Sequence, residues 1–254
     1  LLGKGQIADL PTAITELWKN GYDAYADNLK AELFKEGFED LSKSYFIISD
    51  DGKGMSYRDI LERWIVLGTD SKSRAELEEK SEHTLWKEPR IKAGEKGIGR
   101  LSVAYLGNPM LMLTKKKGGS IQLVYFDWRL LENYNLFLDD ITIPIQPTDK
   151  IENLNSTFLD LKKEFLCNFD KVKDSDEKII WEGKQIELRS DIISDTKNAI
   201  LEESILKNIS SFFGSNDSHG TLFLIFNPIN QILELAENEE DDVDDKKFVI
   251  SSLT

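Results

Sequence analysis

The feature that most constrains the fold is an apolar run that stops abruptly in a glycine-rich segment. Residues Tyr45–Ser49 (YFIIS) are typical of a buried strand, and Asp50-Asp51-Gly52-Lys53-Gly54-Met55 follows them directly. Two glycines spaced by one residue let the backbone turn sharply and approach a ligand closely. A carboxylate at the end of such a strand can accept a hydrogen bond from an exocyclic amine. Because turns of this composition are common, the segment alone does not define a site.

A second feature is a polar stripe on the first predicted helix, which we expect from Ile7 to about Lys35. At 3.6 residues per turn, Glu16, Asn20 and Asp23 fall within an arc of about 60°. A helix that packs on a sheet gains nothing structurally from two carboxylates and an amide on one stripe. A solvent-exposed face explains the stripe equally well.

A third feature is the sequence Gly94-Glu-Lys-Gly97-Ile-Gly99, which precedes a predicted apolar helix from Leu101 to Leu106. Glycines before a helix expose backbone N–H groups to an anion, and the helix N-terminus adds partial positive charge. A Walker A loop is excluded because Arg100-Leu101 replaces its Lys-Ser/Thr pair. The dinucleotide fingerprint is excluded because Ser102 stands where its third glycine belongs.

In this order and spacing, the three features resemble the N, G1 and G2 boxes of the GHKL superfamily, which includes gyrase B, the ninety-kilodalton heat-shock chaperone, histidine kinases, MutL and MORC. A Gly-Thr pair opening a late strand resembles the pair that closes the nucleotide site in this superfamily. The resemblance covers roughly residues 7 to 226. The matching positions are Glu16-x-x-x-Asn20-x-x-Asp23-Ala24, Asp50-x-Gly52-x-Gly54-Met55, Gly94-x-x-Gly97-x-Gly99 and Gly220-Thr221.

The resemblance implies an α+β fold, the two-layer α/β sandwich called the Bergerat fold. Its mixed, mostly antiparallel sheet is covered by helices on one face, and residues 68–96 would form a mobile lid over ATP. We expect one ATP-binding domain over residues 1–233 with an insertion around 129–195, then an acidic linker or the start of a following region at 234–254. From the residue pattern we predict further strands at Met110–Lys115, Ser120–Trp128, Ser156–Leu161, Gln185–Leu188 and Thr221–Phe226, and helices at Tyr57–Leu67 and Lys197–Phe213.

The resemblance also implies a role for each residue of the boxes. Glu16 would be the catalytic base, Asn20 would coordinate Mg²⁺, and Asp50 would bind the adenine amine. Met55 would pack on the ring, and Asp23 and Thr221 would support the base. The remaining nucleotide contacts would come from Ala24, Gly52, Gly54, Gly94, Gly97, Ile98 and Gly99. Lys72 and Lys96 would be lid cations near the phosphates, although a solvated surface role suits each lysine equally.

The implied function is ATP binding with hydrolysis, used as a conformational switch or dimerisation clamp within a larger protein. An ATP-dependent homodimer and protein clients or further domains would be the partners. One alternative is an ATP-gated binding module with negligible catalysis. A histidine kinase is disfavoured, because Glu16 is present and neither His83 nor His219 lies in a phosphoacceptor helix. We identify no lysine that would reach the γ-phosphate from a following domain.

Net charge and composition argue against several other functions and locations for the chain. The net charge of −14 argues against a broad nucleic-acid surface. The sequence has no apolar run near the roughly 20 residues that a membrane span needs. A single cysteine, Cys167, excludes an internal disulfide and favours a reducing compartment, so we expect a cytoplasmic location. Gly21 costs about 1 kcal/mol inside a helix relative to alanine, which predicts close packing at that position.

Overall fold

The computed structural model describes residues 9–65, 81, 84–91, 93, 102–174 and 177–235, and the backbone of 247–253. Its centre is a seven-stranded sheet with the order β5-β4-β3-β6-β2-β1-β7, in which every neighbouring pair is antiparallel. The expected α+β class is therefore confirmed. The strands are β1 (Leu29–Phe34), β2 (Tyr45–Asp50), β3 (Met110–Lys115), β4 (Ile121–Phe126), β5 (Ile145–Thr148), β6 (Gly220–Ile225) and β7 (Lys247–Leu253).

Helices account for most of the other ordered elements. The structure has α1 (Leu10–Asp23), α2 (Tyr57–Asp59, continued by a π-helical turn Ile60–Trp64), α3 (Val103–Leu106), α4 (Leu154–Leu166), α5 (Lys184–Asn198), α6 (Glu203–Phe213) and α7 (Asn230–Leu235). Short 3₁₀ turns lie at Phe38–Asp40, Trp128–Glu132, Leu138–Asp140, Ile151–Asn153 and Cys167–Phe169.

Both faces of the central strands are covered. Every residue of β3, β4 and β6 is buried, which explains why their sequences are mostly apolar instead of alternating between apolar and polar residues. On one face, Phe223 stacks on Trp64 beyond α2. On the other face, Phe226 stacks on Phe158 of α4. The helices between residues 154 and 213 thus add a layer behind the sheet, opposite the α1 side.

The single long helix predicted from Ile7 to about Lys35 is wrong, because the chain forms α1, a turn and then β1. The carboxylate of Asp51 accepts the backbone N–H groups of Asp27 and Asn28 at 2.7 and 2.8 Å, and this fixes the turn. The sequence LKAELF of β1 has good helix formers, but its backbone pairs with both β2 and β7. Tertiary pairing therefore overrides local propensity here.

The region after β4 also departs from the sequence predictions. The strands expected near Ser156–Leu161 and Gln185–Leu188 are wrong, since both segments are helical, in α4 and α5. Buried residues of α4 recur at spacings of three and four, which is the helical period: Leu154, Phe158, Leu161 and Phe165. The helix predicted over Lys197–Phe213 is interrupted, because α5 ends at Asn198 and α6 begins at Glu203.

Smaller differences concern element ends. The strand predicted at Ser120–Trp128 is shorter at both ends, and the one at Thr221–Phe226 is shifted by one residue. The helix predicted at Tyr57–Leu67 is π-helical from Ile60 to Trp64. The domain limits stay predictions, with β7 lying inside the segment 234–254 and β5 inside the segment 129–195. Among the described residues, no helix is long and apolar enough to cross a membrane.

The buried side chain of Lys162 stabilises the junction between α5 and α6 through hydrogen bonds. Lys162 Nζ donates to the carbonyl oxygens of Lys197 (3.0 Å) and Ala199 (2.5 Å). Replacing Lys162 with methionine keeps the apolar stem but removes the donor to the Lys197 carbonyl and to the carbonyl of the buried Ala199, so we expect the free energy of unfolding to fall by about 2 kcal/mol. Thermal or urea unfolding of Lys162→Met measures this. The neighbouring Lys163→Met is the control, because Lys163 is exposed. An equal effect of the two variants would contradict the assignment.

Candidate functional site

Three polar side chains form a row across the centre of the sheet. In the strand register, Asp50 of β2 lies opposite Thr221 of β6, and Thr221 lies opposite Thr114 of β3. Residues directly opposite each other in antiparallel strands place their side chains on the same face. The two threonine hydroxyl oxygens are 3.0 Å apart. The row lies on the face that α1 covers, because the Asp50 side chain is next to Gly21 of that helix.

Asp50 has an unusual environment for a carboxylate. Burial raises the pKa of Asp50 to about 7, and the neighbouring charge of Asp51 adds to the increase. The backbone N–H of Gly52 donates to Asp50 Oδ1 at 2.9 Å and opposes this shift only in part. The Asp50 side chain is half-buried, and a carboxylate in this environment gains from a ligand that donates a hydrogen bond to it.

The adjacent Asp51 has a different role from Asp50, because its carboxylate binds backbone N–H groups. It accepts three hydrogen bonds, two from the backbone N–H groups of Asp27 and Asn28 and one from Asn28 Nδ2 at 2.6 Å. Burial acts to raise its pKa, but these hydrogen bonds and the charge of Lys87 outweigh burial, so the pKa of Asp51 is lowered. Asp51 therefore stabilises the α1–β1 turn beside the site.

Glycines bring α1 and the segment after β2 into direct contact. A Cβ atom on Gly21 would collide with Leu29 and would lie 2.9 Å from Asp50 Cβ. A Cβ atom on Gly52 would lie 2.7 Å from Ala24 Cβ and 2.8 Å from Asp50 Oδ1. The close packing predicted for Gly21 is thereby confirmed. Side chains at these positions would push α1 away from Asp50.

The segment from Asp50 to Met55 is fixed at three points. Lys53 N donates to Ala24 O at 2.8 Å, and Met55 N donates to Thr114 Oγ1 at 2.9 Å. His219 Nδ1 lies 2.7 Å from Gly52 O, and because a carbonyl oxygen only accepts, this nitrogen carries the proton. Each contact reaches a different element, so the segment is a rigid part of the site.

The polar stripe of α1 lies at the border of its buried face, whose members are Leu10, Ala13, Ile14, Leu17 and Gly21. Glu16, Asn20 and Asp23 are all half-buried. Glu16 Oε1 forms an ion pair with Lys19 Nζ at 2.6 Å. Asp23 Oδ1 accepts the backbone N–H of Ala93 at 2.7 Å, which places the residue before Gly94 next to α1.

Two basic side chains bind the C-terminal end of α1 from the segment 84–91. Lys87 Nζ donates to Tyr25 O at 2.6 Å, and Arg90 donates to Tyr22 O and Ala26 O at 3.1 and 3.0 Å. The Arg90 guanidinium also lies 4.8 Å from the centre of the Tyr22 ring. Cations are favourable at a helix C-terminus, so these contacts hold the segment against α1.

Several predicted contacts lie outside the described residues, namely Lys72, Gly94, Lys96, Gly97, Ile98 and Gly99. The structure brings together Ala24, Asp50, Gly52, Gly54, Met55 and Thr221, and Asp23 accepts the backbone N–H of Ala93. Glu16 and Asn20 lie earlier in α1, on the N-terminal side of Asp23. In the described part of the chain, no three His, Cys, Asp or Glu side chains form a cluster that could hold a metal ion.

Sequence reasoning missed Thr114, Lys19 and the contact made by His219. Thr114 carries a weak signal, since it is the first polar residue in the apolar run Met110–Lys115. His219 precedes Gly220-Thr221, and its hydrogen-bond partner Gly52 is 167 residues away in the sequence. Contacts at such separation follow from strand order, which local patterns do not determine.

Comparison with known families agrees with this geometry. Residues 8–157 match the family model for histidine kinase-, DNA gyrase B- and HSP90-like ATPases, which is more than half of the chain. No curated protein matches the chain. The match includes α1, the segment Asp50–Met55 and Thr114. The chain therefore belongs to the family of histidine kinase-, DNA gyrase B- and HSP90-like ATPases and carries an ATP-binding domain of the GHKL type.

Proposed function

We propose that the chain binds Mg·ATP with the adenine at the Asp50 end of the row and hydrolyses it. The observation that carries the proposal is a desolvated carboxylate opposite Thr221, surrounded by glycine backbone. Side chains at Gly52, Gly54 and Gly220 would each collide with neighbouring groups, at Gly54 and Gly220 with the backbone carbonyls of Lys115 and Asp50. A planar base with an exocyclic amine fits such a wall, because the amine donates to the carboxylate.

Asn20 suits the metal that accompanies a triphosphate. It is half-buried on the polar stripe, and a single amide oxygen leaves the other metal positions to phosphate oxygens and water. Mg²⁺, when bound, would offset the phosphate charge and polarise the γ-phosphate. The absence of a carboxylate cluster among the described residues is compatible with this arrangement, since the nucleotide would supply most of the ligands.

Glu16 is the proposed general base. It lies one helical turn before Asn20 on the same stripe, so a water near the metal would be within its reach. Proton transfer from that water to the Glu16 carboxylate would generate the nucleophile for the γ-phosphate. A glutamate at this position favours transfer of the phosphoryl group to water over transfer to a protein histidine.

The ion pair between Glu16 and Lys19 favours a second candidate function. The Lys19 ammonium lies 2.6 Å from Glu16 Oε1, so it occupies the oxygen that would otherwise accept from a water. If Lys19 stays paired when ATP binds, the chain would be an ATP-gated binding module with negligible turnover. Replacing Lys19 with methionine distinguishes the two, because turnover would rise in the binding module and would change little in an ATPase.

We propose further that nucleotide binding changes the conformation of the domain and its association with a second copy. The support is the chain of contacts from Asp23 to Ala93 and from α1 to Lys87 and Arg90, which joins the site to the segment preceding Gly94. Sedimentation velocity with and without a non-hydrolysable ATP analogue tests this. A nucleotide-dependent dimer supports the clamp, and an unchanged monomer contradicts it.

Nucleotide affinity and folding stability should change in opposite directions as the pH rises. The pKa of Asp50 is raised to about 7, so between about pH 4 and pH 7 the folded chain holds this proton more tightly than the unfolded chain. The stability contribution of Asp50 is therefore lost as the pH rises through that window. Nucleotide affinity should instead rise by up to about tenfold from pH 6 to pH 8, because an ionised carboxylate accepts from the amine more strongly than its protonated form does.

Calorimetric titrations of the wild type and Asp50→Asn with ADP at several pH values measure this effect. The asparagine keeps an accepting oxygen that does not titrate, so it separates the contribution of Asp50 from that of the nucleotide phosphates. A wild-type pH dependence that survives unchanged in Asp50→Asn would assign the effect to another group.

The proposed function is tested by measuring Mg·ATP binding and steady-state phosphate release on the same preparation, with and without chelation of Mg²⁺. Binding with Mg²⁺-dependent turnover supports an ATPase. Binding without turnover supports the gated module. A folded protein that binds no adenine nucleotide would exclude both functions.

A further inference from the structure

The hydroxyl of Thr114 has three hydrogen-bonding neighbours. Met55 N lies 2.9 Å from Thr114 Oγ1, Gly220 O lies at 3.1 Å and Thr221 Oγ1 lies at 3.0 Å. Thr114 is fully buried, so water does not compete for these contacts. One side chain thus joins the glycine-rich segment after β2 to two residues at the start of β6.

The direction of each hydrogen bond follows from counting protons. A hydroxyl donates one hydrogen bond and accepts two. A backbone N–H only donates, so Thr114 accepts from Met55, and a carbonyl oxygen only accepts, so Thr114 donates to Gly220. Its single hydrogen is then used, and the contact with Thr221 forms only if Thr221 donates to Thr114. The Thr221 oxygen therefore offers only lone pairs to a ligand.

Thr221 faces Asp50 across the β2–β6 pair. An ionised carboxylate also accepts hydrogen bonds and donates none. Asp50 and Thr221 therefore form one wall of the site, and both present hydrogen-bond acceptors to a ligand. Such a wall attracts an amino group and repels a carbonyl group, whose oxygen would face two further acceptors.

We propose that Thr114 is a positioning residue that makes this site selective for 6-amino purine nucleotides over 6-oxo purine nucleotides. The inference rests on the proposed function, because it assigns the base end of the nucleotide site to Asp50 and Thr221. Thr114 acts without touching the base. It fixes the hydroxyl hydrogen of Thr221, and it holds Met55 beside the position of the base.

Replacing Thr114 with valine keeps the shape and removes the hydroxyl. The Thr221 hydroxyl is then free to rotate and to donate to a 6-oxo group. We expect ADP affinity to fall about tenfold, since a buried hydrogen bond is lost, while IDP affinity stays the same or rises. The preference for ADP over IDP should fall at least tenfold. Thr114→Ser keeps the hydroxyl and should keep the preference.

The test is calorimetric titration of ADP and IDP, which differ in the group at position 6 and in the proton that the 6-oxo base carries on N1, and which have no γ-phosphate to hydrolyse. Titrations at pH 8.5 keep Asp50 ionised. Thr148→Val is the matched control, because Thr148 is a buried threonine of β5 that bonds to Lys150 O, away from the site. A merely structural role for Thr114 would lower both affinities equally and leave their ratio unchanged.

A folded Thr114→Val with the wild-type ratio, or a Thr114→Ser that loses the preference as fully as valine, would overturn the inference alone. If Thr114→Val does not fold, Thr221→Val gives the second test. It removes the hydroxyl that Thr114 is inferred to orient, and an undiminished preference in that variant would also overturn the inference. A folded wild type that binds neither ADP nor IDP would overturn the proposed function together with it.

Discussion

Replacing Glu16 with alanine is expected to lower kcat for ATP hydrolysis by at least about 100-fold while ATP affinity changes less than threefold. The reason is that a general base contributes roughly 10²–10⁴ to the rate and is not needed to hold the nucleotide. Loss of the ion pair with Lys19 has little effect on stability, because pairs at the protein surface contribute about 0–1 kcal/mol. Phosphate release and calorimetric binding, measured together, give both numbers.

A matched control for this variant lies on α6. Glu203 is also a helical glutamate paired with a lysine, Lys207, at 3.1 Å, and it is highly exposed. Glu203→Ala should leave turnover unchanged. Full turnover in Glu16→Ala would contradict the role of Glu16 as the base, and loss of ATP binding would show that Glu16 acts in binding instead.

Replacing Gly54 with alanine is the second change with a large expected effect. Gly54 has φ +62°, and a Cβ atom there would run into the backbone carbonyl of Lys115. Backbone of a buried strand cannot move aside cheaply, so we expect a loss of at least about 3 kcal/mol in unfolding free energy. Because the segment Asp50–Met55 would separate from β3, nucleotide affinity should fall at least about 100-fold.

Gly118 is the control that separates the effect of backbone strain at a positive φ from the effect of a steric collision. It also has a positive φ, +70°, but a Cβ atom there would meet nothing within 4 Å. Gly118→Ala should therefore cost only about 1 kcal/mol and leave nucleotide binding intact. Chemical unfolding of both variants gives the comparison. Equal destabilisation would mean that the backbone conformation, and not packing against Lys115, makes Gly54 necessary.

Local patterns predicted the parts of the site that lie close together in sequence. The segment Asp50–Met55 contains a strand end, a carboxylate and two glycines, and each has a local signature. The stripe of Glu16, Asn20 and Asp23 follows from the helical period alone. The strand Met110–Lys115 was predicted at both ends, because burial of both its faces makes its sequence mostly apolar.

Patterns failed where distant contacts decide the structure. Residues 29–34 favour a helix locally, yet pairing with β2 and β7 makes them a strand. The row of Asp50, Thr221 and Thr114 depends on the insertion of β6 between β2 and β3, and residues more than 100 positions apart meet there. A single sequence carries no local signal for such an order. The hydroxyl network of Thr114 therefore became evident only in the folded chain.

The most direct test of the central claim is calorimetric titration of Mg·ADP into the wild type and Asp50→Ala at pH 8.5. Removing the carboxylate leaves the base amine without its acceptor in a desolvated site. We predict measurable binding by the wild type and a loss of at least about 100-fold in Asp50→Ala, with both proteins folded by circular dichroism. Equal binding by the two proteins would show that the nucleotide site does not lie at the Asp50–Thr221 row.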